Sequence, residues 1–158
     1  MAGHTIPHFQ NDGGHRMIEI GPLYTAEAVA TGAGRDGHVQ TADGRIALDL
    51  AVPAEMGGSG DGANPEQLFA AGYAACFHSA LQNVARQAKK KLGDSSVGAR
   101  VAIGRAGEGF GLAVVLEVVI PDLPHDEAQQ LADAAHRVCP YSNATRGNIR
   151  VDVQVVDD

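Results

Sequence analysis

The stretch 64-NPEQLFAAGYAACFHSALQNVARQAKKKLG-93 decides the fold predicted for this chain. Asn64 can cap a helix, a proline follows at the first helical position, and Gln67 can complete a capping box. Lys89–Lys91 are expected in the last turn, where positive charge suits the helix dipole, and Gly93 is a natural left-handed stop. The stretch therefore predicts one long central helix.

This central helix is apolar around nearly its whole circumference between Leu68 and Phe77. A surface helix carries a single apolar stripe, so this one is expected to be covered on most sides. A chain of this size offers one sheet to cover one side. We therefore expect a homodimer in which two copies of the helix pack together.

Composition restricts the possible classes of protein. The 158 residues predict one domain, with residues 1–20 as a loosely ordered extension and 21–158 as the folded part. A formal charge of −7 argues against a nucleic-acid partner, and no apolar run is long enough to span a membrane. The first residues lack the apolar core of a signal peptide, so a cytoplasmic location is expected, where cysteines stay reduced.

The remaining patterns predict six strands and a second long helix. Two strands flank an Asp-Gly hairpin signal, and two others alternate apolar and polar residues around a glycine-containing turn. The predicted strands are Leu23–Thr31, Val39–Thr41, Arg45–Val52, Val97–Gly104, Leu112–Ile120 and Ile149–Val156. The second helix is predicted at 124–138, and a short helical turn, YSNATRG at 141–147, leads to the last strand. The order βββ-α-ββ-α-β indicates an α+β fold with antiparallel sheets around a buried central helix.

The chain has two cysteines, Cys76 and Cys139, and their spacing leaves three interpretations open. They can be inert buried residues, a structural disulfide, or an attacking and resolving redox couple. His78 lies about 200° around the helix from Cys76, so it is not expected to act as its base. No metal is predicted, because the histidines of the extension match no ligand template: His4, His8 and His15.

A reactive Cys76 needs help from elsewhere in the chain. The thiolate is the nucleophile, yet burial raises a thiol pKa, and Cys76 is too far from the helix N-terminus for the dipole to act. A cation must therefore reach this sulfur.

Three segments resemble the organic hydroperoxide resistance (Ohr) branch of the OsmC/Ohr thiol peroxidases. They are NPEQLFAAGYAACF at 64–77, VCPYSNATRGNI at 138–149 and YTAEAVATGAGRDG at 24–37. The resemblance implies an intertwined homodimer in which Cys76 is the peroxidatic cysteine and Cys139 the resolving one.

The same resemblance implies that Arg35 is the catalytic arginine and that Glu66 orients it. A guanidinium is the cation that Cys76 lacks, and a carboxylate can hold it through a bidentate contact. Glu66 and Cys76 are about 15 Å apart along one helix. We therefore expect Glu66 to come from the neighbouring subunit, with the active site at the dimer interface.

The implied activity is reduction of organic hydroperoxides to alcohols through a Cys76 sulfenic acid and a Cys76–Cys139 disulfide. Phe69, Tyr73 and Phe77 are the expected contacts for a lipophilic substrate. No bound cofactor is expected, and dihydrolipoyl groups on lipoylated proteins are the implied reductant. Two alternatives remain: a non-catalytic binding module, and a cysteine hydrolase, which needs a base beside Cys76.

Overall fold

The computed structural model of the protein describes residues 17–157. Its strands and helices follow the predicted order, including the short helix predicted between the second long helix and the last strand. The elements are β1 (Ala28–Thr31), β2 (His38–Thr41), β3 (Ala47–Asp49), α1 (Pro65–Gln87), β4 (Ser96–Ala106), β5 (Gly109–Val119), α2 (His125–Val138), α3 (Pro140–Thr145) and β6 (Val151–Val155). In this part of the chain, no helix combines the length and apolarity needed to cross a membrane.

The strands form two separate three-stranded sheets. The small sheet, β1-β2-β3, is antiparallel throughout. In the large sheet, β4 pairs antiparallel with β5, but β6 pairs parallel to β5. The α+β class is confirmed, and the expectation of purely antiparallel sheets is wrong for this last pair. The connection through α2 and α3 returns the chain to the same end of the sheet, as a parallel pairing requires.

The capping box that starts α1 is confirmed. The Asn64 side chain accepts from the Gln67 backbone N–H at 2.8 Å, and the Gln67 side chain accepts from the Asn64 N–H at 3.1 Å. The predicted end is wrong by about one turn, because α1 stops at Gln87. Lys89 takes a left-handed conformation there (φ 56°), ahead of the predicted stop at Gly93, which is also left-handed.

The core lies between α1, α2 and the inner face of the large sheet. The alternation predicted for β5 is confirmed from Val114 onward, since Val114, Leu116 and Val118 are buried, whereas the first predicted inward residue, Leu112, is half-buried. The largest fully buried side chains are Tyr73, Phe77, Leu81, Val114, Leu116, Val118, Cys139 and Ser142. This single chain covers only one face of α1, because Tyr73 and Phe77 are fully buried while Ala71 and Ala75, on the opposite face, are exposed.

The small sheet and the segment before it are poorly covered. Every residue from 17 to 34 is exposed, including Leu23 and Tyr24. The predicted strand Leu23–Thr31 is reduced to Ala28–Thr31, since only these residues pair with β2. The first sixteen residues of the predicted extension, with His4, His8 and His15, lie outside the described residues.

Candidate active site

The two cysteines face each other across the core. Cys76 lies in the middle of α1 and is half-buried, whereas Cys139, between α2 and α3, is fully buried. Their sulfur atoms are 3.7 Å apart, with the Cys139 thiol directed at the Cys76 sulfur. This brings together two residues that are 63 positions apart in the chain, close enough for a disulfide after a small movement.

Cys139 is held on both sides by backbone hydrogen bonds. Its N–H donates to the Ala135 carbonyl at 2.8 Å, closing α2, and its carbonyl accepts from the Asn143 N–H at 2.9 Å, opening α3. Cys139 itself is extended (φ −62°, ψ 127°), and Pro140 occupies the first position of α3. Proline fits there because that position needs no intrahelical N–H bond. The turn directs the thiol inward toward α1.

Two opposing influences act on the Cys76 thiol. Burial raises its pKa, and the neighbouring ionisable thiol of Cys139 raises it further. The backbone N–H of Tyr141 donates to the Cys76 sulfur and lowers the pKa, but the net direction is upward. Arg35 is not among the groups that shift this pKa within the chain. The thiol therefore predominates at neutral pH in the single chain.

Arg35 and Glu66 form a bidentate ion pair, as the family resemblance implies. The two guanidinium nitrogens donate to the two carboxylate oxygens at 2.9 and 2.8 Å. Arg35 favours the ionised form of Glu66, because its guanidinium holds the pKa of the Glu66 carboxyl below its ordinary value. Glu66 is mostly covered (13% of its side chain exposed), while 37% of the Arg35 side chain remains exposed.

Arg35 is positioned by a tight turn between β1 and β2. It lies in a short 3₁₀ turn, Gly34–Asp36. The Asp36 carboxylate accepts from the Val52 N–H at 3.0 Å and so ties this turn to the segment ahead of α1. The residue that follows this turn, Gly37, has to be a glycine, since a Cβ there would overlap the carbonyl oxygen of Thr31.

The chain thus joins the four expected catalytic residues in two pairs, Cys76 with Cys139 and Arg35 with Glu66. Both Glu66 and Cys76 belong to α1, and ten residues of helix correspond to about 15 Å. That Glu66 reaches the Cys76 site from a neighbouring subunit stays a prediction. Within the chain, Glu66 binds Arg35, so the two residues form one unit.

The three aromatic residues expected to contact substrate differ in exposure. Tyr73 and Phe77 are fully buried in the core, and Phe69 is half-buried at its edge. Phe69 packs edge-on against Tyr73, with ring centroids 5.9 Å apart. As substrate contacts they stay predictions, and Phe69 is the one with an accessible ring surface.

Tyr141 is a site residue that the sequence analysis missed. Its ring, 39% exposed, packs against Tyr73 (5.6 Å between centroids) and against Phe69 (6.1 Å). Gly72 makes room for it, because a Cβ there would lie 2.9 Å from the Tyr141 hydroxyl oxygen. The sequence feature that could have identified Tyr141 is its position two residues after Cys139, on the segment that faces α1.

His78 does not face Cys76, as predicted from its place on the helix. Its Nε2 lies 3.0 Å from the Ser95 hydroxyl and 3.4 Å from the Gln82 amide nitrogen. These contacts hold the ring against the segment that follows α1. Within the chain, His78 is therefore not placed to act as the base that a cysteine hydrolase needs beside Cys76.

A second set of polar side chains near the cysteines was also missed. The Ser142 network, as we call it, comprises His136, Ser142, Thr145 and Tyr73. His136 and Ser142 lie three residues before and after Cys139, and Tyr73 lies three residues before Cys76. That spacing places them one helical turn from each thiol, and it was visible in the sequence.

A groove of about 460 Å³ opens beside Glu66. Its walls are partly apolar, and they come from the 3₁₀ turn after β3, the first turns of α1 and strand β4. The apolar lining residues are Pro53, Met56, Ala70, Val101 and Ile103. An alkyl chain could therefore lie against α1 close to the ion pair.

Comparisons with known proteins agree with this arrangement. Residues 58–154 match the family model described as OsmC-like protein. The organic hydroperoxide resistance protein of Xanthomonas axonopodis pv. citri is 54% identical over 131 residues, covering 82% of this chain and 92% of the relative. OhrB of Bacillus subtilis is 43% identical over 135 residues, covering 84% and 98%.

The fold is shared as well. The crystal structure of an organic hydroperoxide resistance protein from Legionella pneumophila superposes with a TM-score of 0.81 at 52% identity, covering 85% of this chain and 98% of that one. The family model spans more than half of the sequence, and the relatives match along nearly their whole length. The chain belongs to the OsmC/Ohr family, in its organic hydroperoxide resistance branch.

Proposed function

We propose that this protein is a cysteine-based peroxidase that reduces organic hydroperoxides to alcohols. The observation that carries the proposal is the pair of thiols 3.7 Å apart, one half-buried and one fully buried. A reachable thiol beside a shielded one suits a couple in which the first meets the oxidant and the second resolves it.

In the first step, the Cys76 thiolate attacks the distal oxygen of the hydroperoxide. The O–O bond breaks, Cys76 becomes a sulfenic acid, and the alkoxide takes a proton and leaves as the alcohol. A guanidinium near the sulfur favours the thiolate against the effect of burial and can align the peroxide oxygens. Arg35, with its geometry set by Glu66, is the group proposed for this role.

In the second step, the Cys139 thiol attacks the Cys76 sulfenic sulfur. A disulfide forms and water leaves, carrying the sulfenic oxygen and the thiol proton. The sulfur atoms must approach from 3.7 Å to a bond of about 2.05 Å. This is a movement that side-chain rotation and a small backbone shift can supply.

We propose that Arg35 and Glu66 act on the Cys76 of a partner subunit in a homodimer. Two observations support this. The Arg35–Glu66 pair lies about 15 Å along α1 from the Cys76 of its own chain. The uncovered face of α1 and the exposed apolar residues of the first described segment, such as Leu23 and Tyr24, offer surface that a second copy can bury.

The proposed substrates are lipophilic hydroperoxides. The groove beside Glu66 has apolar walls, and Phe69 presents a half-buried ring on the same helix. An alkyl or aryl group would gain by burial there, whereas hydrogen peroxide has no apolar surface to bury.

The disulfide must be reduced for turnover, and dihydrolipoyl groups on lipoylated proteins are the proposed reductant, in the cytoplasm. Because Cys139 is fully buried, the incoming thiolate is proposed to attack the Cys76 sulfur and release Cys139 as the leaving thiolate. A lipoyl arm is long and thin, which suits delivery of a dithiol to a half-buried sulfur.

The experiment is a stoichiometric reaction followed by mass spectrometry. The reduced protein, treated with one equivalent of cumene hydroperoxide, should lose both thiols and gain a Cys76–Cys139 cross-link, with one equivalent of cumyl alcohol released. Cys139→Ser should still consume one equivalent but form no intramolecular disulfide, and its dihydrolipoamide-dependent turnover should fall. Retention of both thiols in the wild-type protein would indicate a non-catalytic binding module instead.

A further inference from the structure

The Ser142 network connects the three helices that meet at the two cysteines. Tyr73, on α1, is fully buried, and its hydroxyl lies 2.9 Å from the Ser142 Oγ and 3.0 Å from the Thr145 Oγ1, both on α3. His136, in the last turn of α2, brings its Nδ1 to 2.7 Å from the same Ser142 Oγ. Thr145 Oγ1 also donates to the Ser142 carbonyl at 3.2 Å.

Only one placement of the protons gives all four contacts a hydrogen. A carbonyl can only accept, so the single hydroxyl proton of Thr145 goes to the Ser142 carbonyl. Tyr73 must then donate to Thr145, and Ser142 must donate to Tyr73. Ser142 has no proton left for the imidazole, so His136 must donate from Nδ1. This fixes the tautomer of His136 and makes it the starting donor of a directed chain.

The surroundings of His136 favour its neutral form, in which a single ring nitrogen carries the proton. Its pKa is lowered by burial and, to a smaller extent, by the positive charge of Arg146, with Asp133 acting in the opposite direction. The Arg146 guanidinium also donates to the His136 carbonyl and to the Asn143 side chain. The ring itself packs beside Phe77, with centroids 6.5 Å apart.

The network encloses the turn that carries the resolving thiol. Its members fix the backbone three residues before Cys139, three residues after it, and one turn before Cys76 on the facing helix. The same turn carries the Tyr141 N–H that donates to the Cys76 sulfur. Buried hydroxyl chains with every member satisfied rigidify the elements they join.

We propose that the Ser142 network is a positioning device that sets the rate of disulfide formation relative to over-oxidation of Cys76. This rests on the proposed peroxidase function. The Cys76 sulfenic acid has two fates: it condenses with the Cys139 thiol, releasing water, or it reacts with a second hydroperoxide to give a sulfinic acid and a second alcohol. Holding Cys139 close favours the first fate, because small misplacements of reacting atoms slow a reaction strongly.

The test compares two substitutions of His136. His136→Leu removes the first donor of the chain and leaves Ser142 without a proton donor. His136→Asn keeps an N–H close to the position of Nδ1 and should rescue the network. His125→Leu, the same substitution at an exposed position of α2, is the matched control. Tyr73→Phe breaks the chain at its centre while keeping the ring, and it provides the test if His136→Leu does not fold.

The measured quantity is the ratio of disulfide to Cys76 sulfinic acid by mass spectrometry, over a series of cumene hydroperoxide concentrations. We expect this ratio to fall about tenfold in His136→Leu and Tyr73→Phe and to stay near wild type in His136→Asn and His125→Leu. Consumption of the first equivalent should be unchanged in the three histidine variants. A wild-type ratio in a folded His136→Leu or Tyr73→Phe protein would overturn the proposal, whereas a wild-type protein that leaves Cys76 unoxidised would overturn the peroxidase function itself.

Discussion

The cysteine pair and the Arg35–Glu66 pair each include one residue of the same long helix, but they lie in very different surroundings. Cys76 and Cys139 meet in the core, where α1, α2 and α3 pack together and a buried hydroxyl network joins them. Arg35 belongs to a turn of the small sheet, whose strands are largely exposed, and it reaches only the first turn of α1. The cysteine pair lies wholly within the core of one chain, whereas the Arg35–Glu66 pair presents the Arg35 guanidinium to the outside.

This difference suggests how the chemistry is divided. The disulfide step needs two sulfur atoms in a fixed relation, and the core of one chain supplies it. Activation of the thiol needs a cation that the chain does not bring to its own Cys76, whose pKa is raised by burial. A partly exposed guanidinium in a preformed ion pair is well suited to complete a neighbouring site, because its fork geometry is already set by Glu66.

The largest expected effect comes from removing the nucleophile in the core. Cys76→Ser should lower hydroperoxide consumption by at least about 10³-fold, because a serine hydroxyl is a far weaker nucleophile toward peroxide. The measurement is the rate of cumene hydroperoxide loss with dihydrolipoamide as reductant. Residual turnover close to wild type would mean that the core pair is not the reacting centre.

A smaller effect is expected at the exposed pair. Arg35→Lys keeps the charge but loses the bidentate contact with Glu66, and kcat/KM should fall about 10²-fold. Arg45→Lys is the matched control, since Arg45 follows β2, pairs with Asp43 at 3.6 Å and has 88% of its side chain exposed. Equal activity of the two variants would remove Arg35 from the mechanism.

The pH dependence of Cys76 oxidation separates the effect of burial on the thiol pKa from the effect of Arg35 on it. Burial raises the pKa of the Cys76 thiol, so the thiolate fraction, and with it the rate of the first oxidation, should rise about tenfold per pH unit below that pKa. If Arg35 lowers the pKa in the assembled site, Arg35→Met should move the midpoint of the profile to higher pH. Stopped-flow measurement of single-turnover oxidation gives both curves, and coincident midpoints would contradict the proposed contact.

The smallest effect concerns the helix that carries both pairs. Asn64→Ala removes the cap of α1 and should lower the free energy of unfolding by about 1 kcal/mol. Denaturant titration measures this loss. Because the cap lies in the turn of Glu66, far from Cys76, the single-turnover disulfide yield should not change, and a lower yield would show that the two regions are coupled through α1.

Patterns local in the sequence were sufficient for much of this structure. Asn64 and Gln67 predicted the start of α1, and alternation predicted the inward face of β5. The meeting of Cys76 and Cys139 was implied only by the resemblance of their motifs to the Ohr branch. Features that depend on how distant elements are oriented were missed.

The parallel pairing of β6 follows from the direction in which α2 and α3 return the chain, which no single segment encodes. The contacts of Ser142 with Tyr73 and His136 exist only because three helices converge. The pairing of Arg35 with Glu66 was implied by the family resemblance, but its geometry depends on how the small sheet sits beside α1.

Subunit complementation tests most directly the claim that two chains share one peroxidase site. Arg35→Met and Cys76→Ser chains, each nearly inactive, are co-expressed with different tags, and the mixed dimers are purified through both tags. A mixed dimer then has one site with an intact Cys76 and an intact partner Arg35, so it should recover about half of the wild-type activity per dimer. Mixed dimers as inactive as either parent would contradict the shared site.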